Sequence, residues 1–119
     1  MTPEILRELV VEALDEVKGQ DVLALDVSGV STITDWMVIG SGTSSRHVKA
    51  LVDSVVEQAK AAGQPPLGVE GLESLEWVLV DLGDVVVHVM QAATRSFYDL
   101  ERLWKLPATP EASLSAPVS

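Results

Sequence analysis

Two histidines, His47 and His88, and 18 Asp plus Glu residues are the side chains here best suited to acid–base or metal chemistry, and the 119-residue chain has no cysteine. Thiolate catalysis, disulfide scaffolds and Cys-ligated metals are thereby excluded. A metal centre would need both histidines, or carboxylates alone. No His-x-x-x-His spacing sets two imidazoles on one helix face, so no metal is expected. Nucleophilic hydrolysis asks for an elbow of the Gly-x-Ser-x-Gly type, which does not occur. His47, beside Arg46 and Lys49, reads as part of a solvated polar first turn of a helix.

One segment could hold a phosphate. Gly40-Ser41-Gly42-Thr43-Ser44-Ser45-Arg46 passes from an extended run into a helix start, where backbone N–H groups can cradle an anion. It lacks the lysine of a P-loop and the spacing of a dinucleotide site. A Gly-Ser turn after a strand is also found in nucleotidyltransferases, which hold divalent metal between carboxylates on alternate residues of a strand. Asp81 and Asp84 instead straddle a turn, and no Asp-x-Asp occurs. A nucleotide-handling enzyme using Gly40–Arg46 is therefore the second reading, and no enzyme constellation or cofactor site is expected.

The elements that would position these groups are legible from periodicity. Thr2-Pro3-Glu4 opens a helix with a hydroxyl cap, a first-turn proline and an acid at the positive end of the dipole. Ile5, Leu6, Leu9, Val10, Ala13, Leu14 and Val17 form its stripe, and Lys18-Gly19 should end it on a left-handed glycine. Asp21 to Val27 and Trp36 to Gly42 read as strands. His47 to Ala62 is a second helix, stopped by Gly63 and Pro65-Pro66. Leu67 to Glu70 is a short strand and Gly71 to Leu75 a loop. Thr94 should cap a third helix carrying Phe97, Leu100, Leu103 and Trp104 on one side, and Pro107 to Ser119 reads as a disordered Pro, Ala and Ser tail. The expected domain is residues 1–106.

Glu76 to Met90, EWVLVDLGDVVVHVM, is the most informative stretch. Gly83-Asp84 between two β-rich runs suits a type II′ hairpin. That turn fixes the register: Leu82 faces Val85, Asp81 Val86, Val80 Val87, Leu79 His88, Val78 Val89 and Trp77 Met90. Directly opposed residues share a sheet face. One face is then Val78, Val80, Leu82, Val85, Val87 and Val89, wholly apolar, and must lie under helices. The other is Trp77, Leu79, Asp81, Val86, His88 and Met90. Three helices are few for both sides of a five-stranded sheet, so this mixed face is expected to stay open and dock a partner. The competing reading makes Trp77 and His88 ordinary core residues or part of a homodimer seam.

Composition narrows the partner. Hydrophobic residues at 47% and charged residues at 22% give a globular domain. A net charge of -10 disfavours phosphate-led nucleic-acid binding, which rests on Lys and Arg, and favours a basic partner. No apolar run reaches about 18 residues, the length of a membrane span. Glu and Asp within Met1–Lys18 do not fit a signal peptide, so a cytoplasmic protein is expected.

Four ordered blocks then carry a family resemblance: STITDWMVIGSGTSSRHV (31–48), PLGVEG (66–71), EWVLVDLGDVVVHVM (76–90) and RSFYDLERLW (95–104). Together they closely resemble the ribosomal silencing factor, or Iojap, family, over nearly the whole chain to Trp104. The resemblance implies a mixed five-stranded sheet with three helices in the order α-β-β-α-β-β-β-α, an α+β fold related to nucleotidyltransferases but without their carboxylates. It implies binding to the large ribosomal subunit through its universal protein fourteen, steric exclusion of the small subunit, and repression of translation when nutrients fall. A role in biogenesis of the large subunit and homodimers off the ribosome are implied as well. Trp77, Asp81, Gly83, Asp84, His88 and Tyr98 match the family pattern. Leu82 stands where an aromatic is common, Met90 where Phe is common, Trp36 where Tyr or Phe is common, and Ser96 replaces a frequent acid. The partner-binding residues implied are Trp77, Leu79, Asp81, Leu82, His88, Met90 and Tyr98, with Asp81 paired to a basic side chain and Trp77, Leu79 and Met90 supplying area.

Overall fold

A computed structural model describes residues 1–98. Along the chain run α1 (Pro3–Glu16), β1 (Gln20–Asp26), β2 (Trp36–Gly42), α2 (Ser45–Ala61), β3 (Gly68–Glu70), β4 (Trp77–Asp81), β5 (Val85–Gln91) and α3 (Ala92–Tyr98). The strands form one open sheet in the order β1-β2-β5-β4-β3. β2 and β5 are parallel and every other neighbouring pair is antiparallel, so the fold is α+β with a mixed sheet. The β4–β5 register is the one the turn predicts, from Trp77↔Met90 to Asp81↔Val86. Leu82 N–H closes the turn on Val85 O at 3.0 Å, and Gly83 takes φ +87, the left-handed first turn position that type II′ requires.

Local chemistry explains the helix ends. Thr2 Oγ1 accepts the Ile5 N–H at 3.1 Å, and Ser44 Oγ accepts the His47 N–H at 3.1 Å, so each helix has a hydroxyl cap. α1 stops differently from expectation. The left-handed residue is Lys18, at φ 60, and not Gly19. Gly19 N–H bonds to Leu14 O at 2.9 Å and Lys18 N–H to Asp15 O at 3.0 Å, the paired closure of a Schellman motif. The lysine thus stands at the position usually given to glycine. α3 also begins earlier than expected, at Ala92 and not after a Thr94 cap. Gln91 N–H still bonds to Glu76 O, just ahead of β4, at 3.0 Å, and two alanines turn the chain into helix at once. Leu100, Leu103, Trp104 and the tail from Pro107 lie outside the described residues, as does the side chain of Phe97.

The main core lies between one sheet face and the α1–α2 pair. Val78, Val80, Val85, Val87 and Val89 are fully buried with Leu82, against Val10, Leu14, Leu51 and Val55. Ile5, placed on the α1 stripe by periodicity, is instead exposed. Ser54 of α2 donates to Ala13 O at 2.8 Å, tying the two helices. The opposite face carries a smaller cluster of Val27, Met37, Ile39 and Met90, with Leu25 and Trp77 packed on it.

Candidate partner-docking site

Strand alternation puts Trp77, Leu79, Asp81, Val86, His88 and Met90 on the face away from α1 and α2. Trp77 opens β4 opposite Met90, so His88 is its diagonal neighbour on β5. The indole uses that proximity. Trp77 Nε1–H donates to His88 Nδ1 at 2.9 Å, with ring centroids 5.9 Å apart and planes tilted by 49°. His88 Nδ1 is therefore an acceptor and Nε2 carries the proton of the neutral ring. Burial pushes the His88 pKa down to about 4 from its ordinary 6.5.

This shift has a sign that can be measured. Unfolded, the imidazole takes up a proton more readily than it does in the folded protein. The contribution to stability is complete above the unfolded pKa and is lost as pH falls from 6.5 towards 4. Acidifying from about pH 7.5 to about pH 5.5 should cost about 1 kcal/mol through this group. Urea unfolding at both values checks it, and His88→Asn should reduce the difference by about that amount.

Other expected contacts fare unevenly. Leu79 and Asp81 are half-buried, and Asp81 Oδ1 accepts the Gly83 N–H at 2.8 Å, holding the hairpin turn. Asp81 Oδ2 has no partner among the described residues. Met90 is fully buried, in one cluster with Val27, Met37 and Ile39, and Leu82 is 5% exposed in the main core. Both are corrections: buried, they offer no area to a partner. Tyr98 closes α3, and its side chain lies outside the described residues.

The face is also less bare than expected. Trp77 is half-buried, and among the described residues the exposed large hydrophobics are Met1, Ile5, Val30, Ile33, Leu67 and Leu72, none of them in β4 or β5. Two features account for this. The β1–β2 connection folds back, with Val27 N–H on Asp35 O at 2.9 Å and Val27 buried in the second cluster. Arg95 of α3 reaches the same face, donating to Asp21 O and, at 3.1 Å, to Ser41 Oγ. Arg95 was missed in the sequence, where the signal was Ser41: a hydroxyl inside an apolar strand must find a partner when buried. What remains accessible is a patch of Trp77, Leu79, Asp81, Val86 and His88.

The Gly40–Arg46 turn uses its own donors. Thr43 N–H is taken by His47 Nδ1 at 3.0 Å, His47 N–H by Ser44 Oγ, and Val48 N–H by Ser44 O at 2.9 Å. His47 Nε2 lies 2.7 Å from Val17 O, so the ring bridges the end of α1 to the start of α2 and is not a merely solvated side chain. Among the described residues no three His, Asp or Glu side chains gather to hold a metal ion.

A family model described as ribosomal silencing factor during starvation matches residues 2–117, running into the segment set apart above as a tail. The chain belongs to the ribosomal silencing factor family. A Chromobacterium violaceum ribosomal silencing factor is 50% identical to it, over 83% of this chain and 81% of the relative. A crystal structure of a Chromobacterium violaceum protein superposes with a TM-score of 0.86 at 44% identity, covering 100% of both chains. A mouse relative named for mitochondrial assembly of the ribosomal large subunit is 36% identical over 83% of this chain but only 45% of its own length. Silencing factors of this kind are regulatory ribosome-associated proteins, and among the described residues no helix is long and apolar enough to cross a membrane.

Proposed function

We propose that this silencing factor represses translation by occupying space on the large ribosomal subunit. It docks the Trp77 face on the subunit's universal protein fourteen and keeps the small subunit from joining. The observation that carries this is the Trp77–His88 pair: a large aromatic fixed by a 2.9 Å hydrogen bond on an accessible sheet face of a chain with net charge -10. Aromatic anchors dominate protein interfaces, and an acidic domain suits a basic ribosomal protein. The second Asp81 oxygen is placed to meet a Lys or Arg of that partner. The reading makes the protein cytoplasmic, active when nutrients fall, and able to pair with a second copy through the same face when off the ribosome. It also fits a part in large-subunit biogenesis.

The direct test is subunit association in a sucrose gradient. Large subunits preincubated with the protein should fail to form whole ribosomes when small subunits are added. Whole ribosomes at the level of the untreated control would refute the reading.

The action is steric and not enzymatic in this account. At the Gly40–Arg46 turn the Thr43 N–H is spent on His47 and the His47 N–H on Ser44, two of the donors a phosphate would use. Titration of nucleoside triphosphates with magnesium should give no binding heat by calorimetry. A saturable heat abolished by Ser44→Ala would instead revive the nucleotidyltransferase reading.

A further inference from the structure

We propose that His88 is a positioning residue, which sets the indole of Trp77 in the pose the docking face presents and does not itself supply the main contact. The inference rests on the docking reading above and assigns His88 a different part in it. Three observations meet here. His88 opposes Leu79, two residues along β4 from Trp77, so two strands and not one flexible side chain fix the spacing of the rings. The indole N–H points its one donor at Nδ1, 2.9 Å away, and the planes are tilted by 49° and not stacked. Beside Trp77 on the same face stands its register partner Met90, fully buried, and the indole packs on the cluster that holds it. A tryptophan side chain has two rotatable bonds, and a partner that must freeze them loses affinity. Held by an acceptor and packed on a buried apolar cluster, the indole is ordered before the partner arrives.

A neutral imidazole does this as an aliphatic side chain cannot. It packs like an apolar residue, yet offers an acceptor to the indole. Asparagine carries an oxygen at the corresponding branch, so His88→Asn should keep the bond and His88→Leu should lose it.

The test uses the full chain and purified large ribosomal subunits. In the 15N-labelled protein, a coupling across the Nε1–H···Nδ1 bond should link the Trp77 and His88 nitrogens, and the Trp77 indole proton should exchange slowly. His88→Leu should speed that exchange and weaken binding about fivefold, the scale of one side chain left to be ordered. His88→Asn should restore both. In a Trp77→Phe background, which has no indole donor, His88→Leu should change affinity no further. An absent coupling overturns the proposal without any variant. So does equal weakening by His88→Leu in both backgrounds, which would make His88 a contact in its own right. If Trp77→Ala binds as tightly as the unmodified protein, the docking reading itself fails. If Trp77→Ala is weak but His88→Leu is not, only the positioning role fails.

Discussion

Trp77→Ala should weaken binding to large ribosomal subunits about thirtyfold or more while the protein stays folded. The magnitude is that of a central aromatic anchor, about 2 kcal/mol or more on truncation. Two properties of the site support it. The indole is half-buried in the free protein, so part of its area remains for a partner, and its pose is already fixed by His88. The cluster it packs on, with Met90, Ile39 and Met37, belongs to the monomer's own interior and persists without it. Some stability is lost too, because Trp77 packs on that cluster. Circular dichroism with thermal melting separates the two effects. A folded variant that no longer co-sediments with large subunits is the expected outcome, and a folded variant that co-sediments undiminished would remove this face from the account.

Gly71→Ala should be the most damaging single substitution to the fold. Gly71 sits at φ +96 just before the turn into β4, and a Cβ there would lie 2.2 Å from Trp77 O and 3.2 Å from Trp77 C. Both are backbone atoms at the start of the strand that carries the indole, so no side chain can rotate away to relieve the clash. The strained φ alone costs about 1 kcal/mol or more, and forced displacement of β4 should raise the total beyond about 4 kcal/mol. Gly63 provides the contrast. It is also left-handed, at φ +81, but nothing lies within 4 Å of its Cβ position. Gly63→Ala should therefore cost only about 1 kcal/mol. Urea unfolding of both variants measures the difference, and equal midpoints would show that the close approach at Gly71 does not constrain β4.

Much of this architecture is written locally. Gly83-Asp84 between alternating β-branched residues specifies the turn, and the turn then dictates which side chains share a face; every pairing from Trp77 to Asp81 agrees. Thr2 and Ser44 announce their helices in the same way. What a linear reading does not reveal is long-range cover. Met90 alternates with buried valines and so reads as part of an open face. It is sealed in a cluster with Ile39 and Trp77, at the end of the sheet where α3 brings Arg95 to Ser41, the register partner of Met90. Likewise, nothing local says that Arg95 reaches back to Ser41 and Asp21, or that His47 bridges Thr43 and Val17 O. Lys18 takes the left-handed position beside an available glycine, which propensity alone ranks the other way. The register puts Trp77 and His88 on one face, but the hydrogen bond between their rings is not legible in it.

Hydroxyl-radical footprinting of the unmodified protein, free and bound to large ribosomal subunits, reads the docking surface most directly. Docking through β4 predicts strong protection of Trp77 and Leu79 in the complex, with Ile33 and Leu67, exposed around the far end of the sheet, oxidised as in the free protein. Protection of Ile33 and Leu67 with Trp77 unchanged would place the ribosome on a different surface and contradict the account.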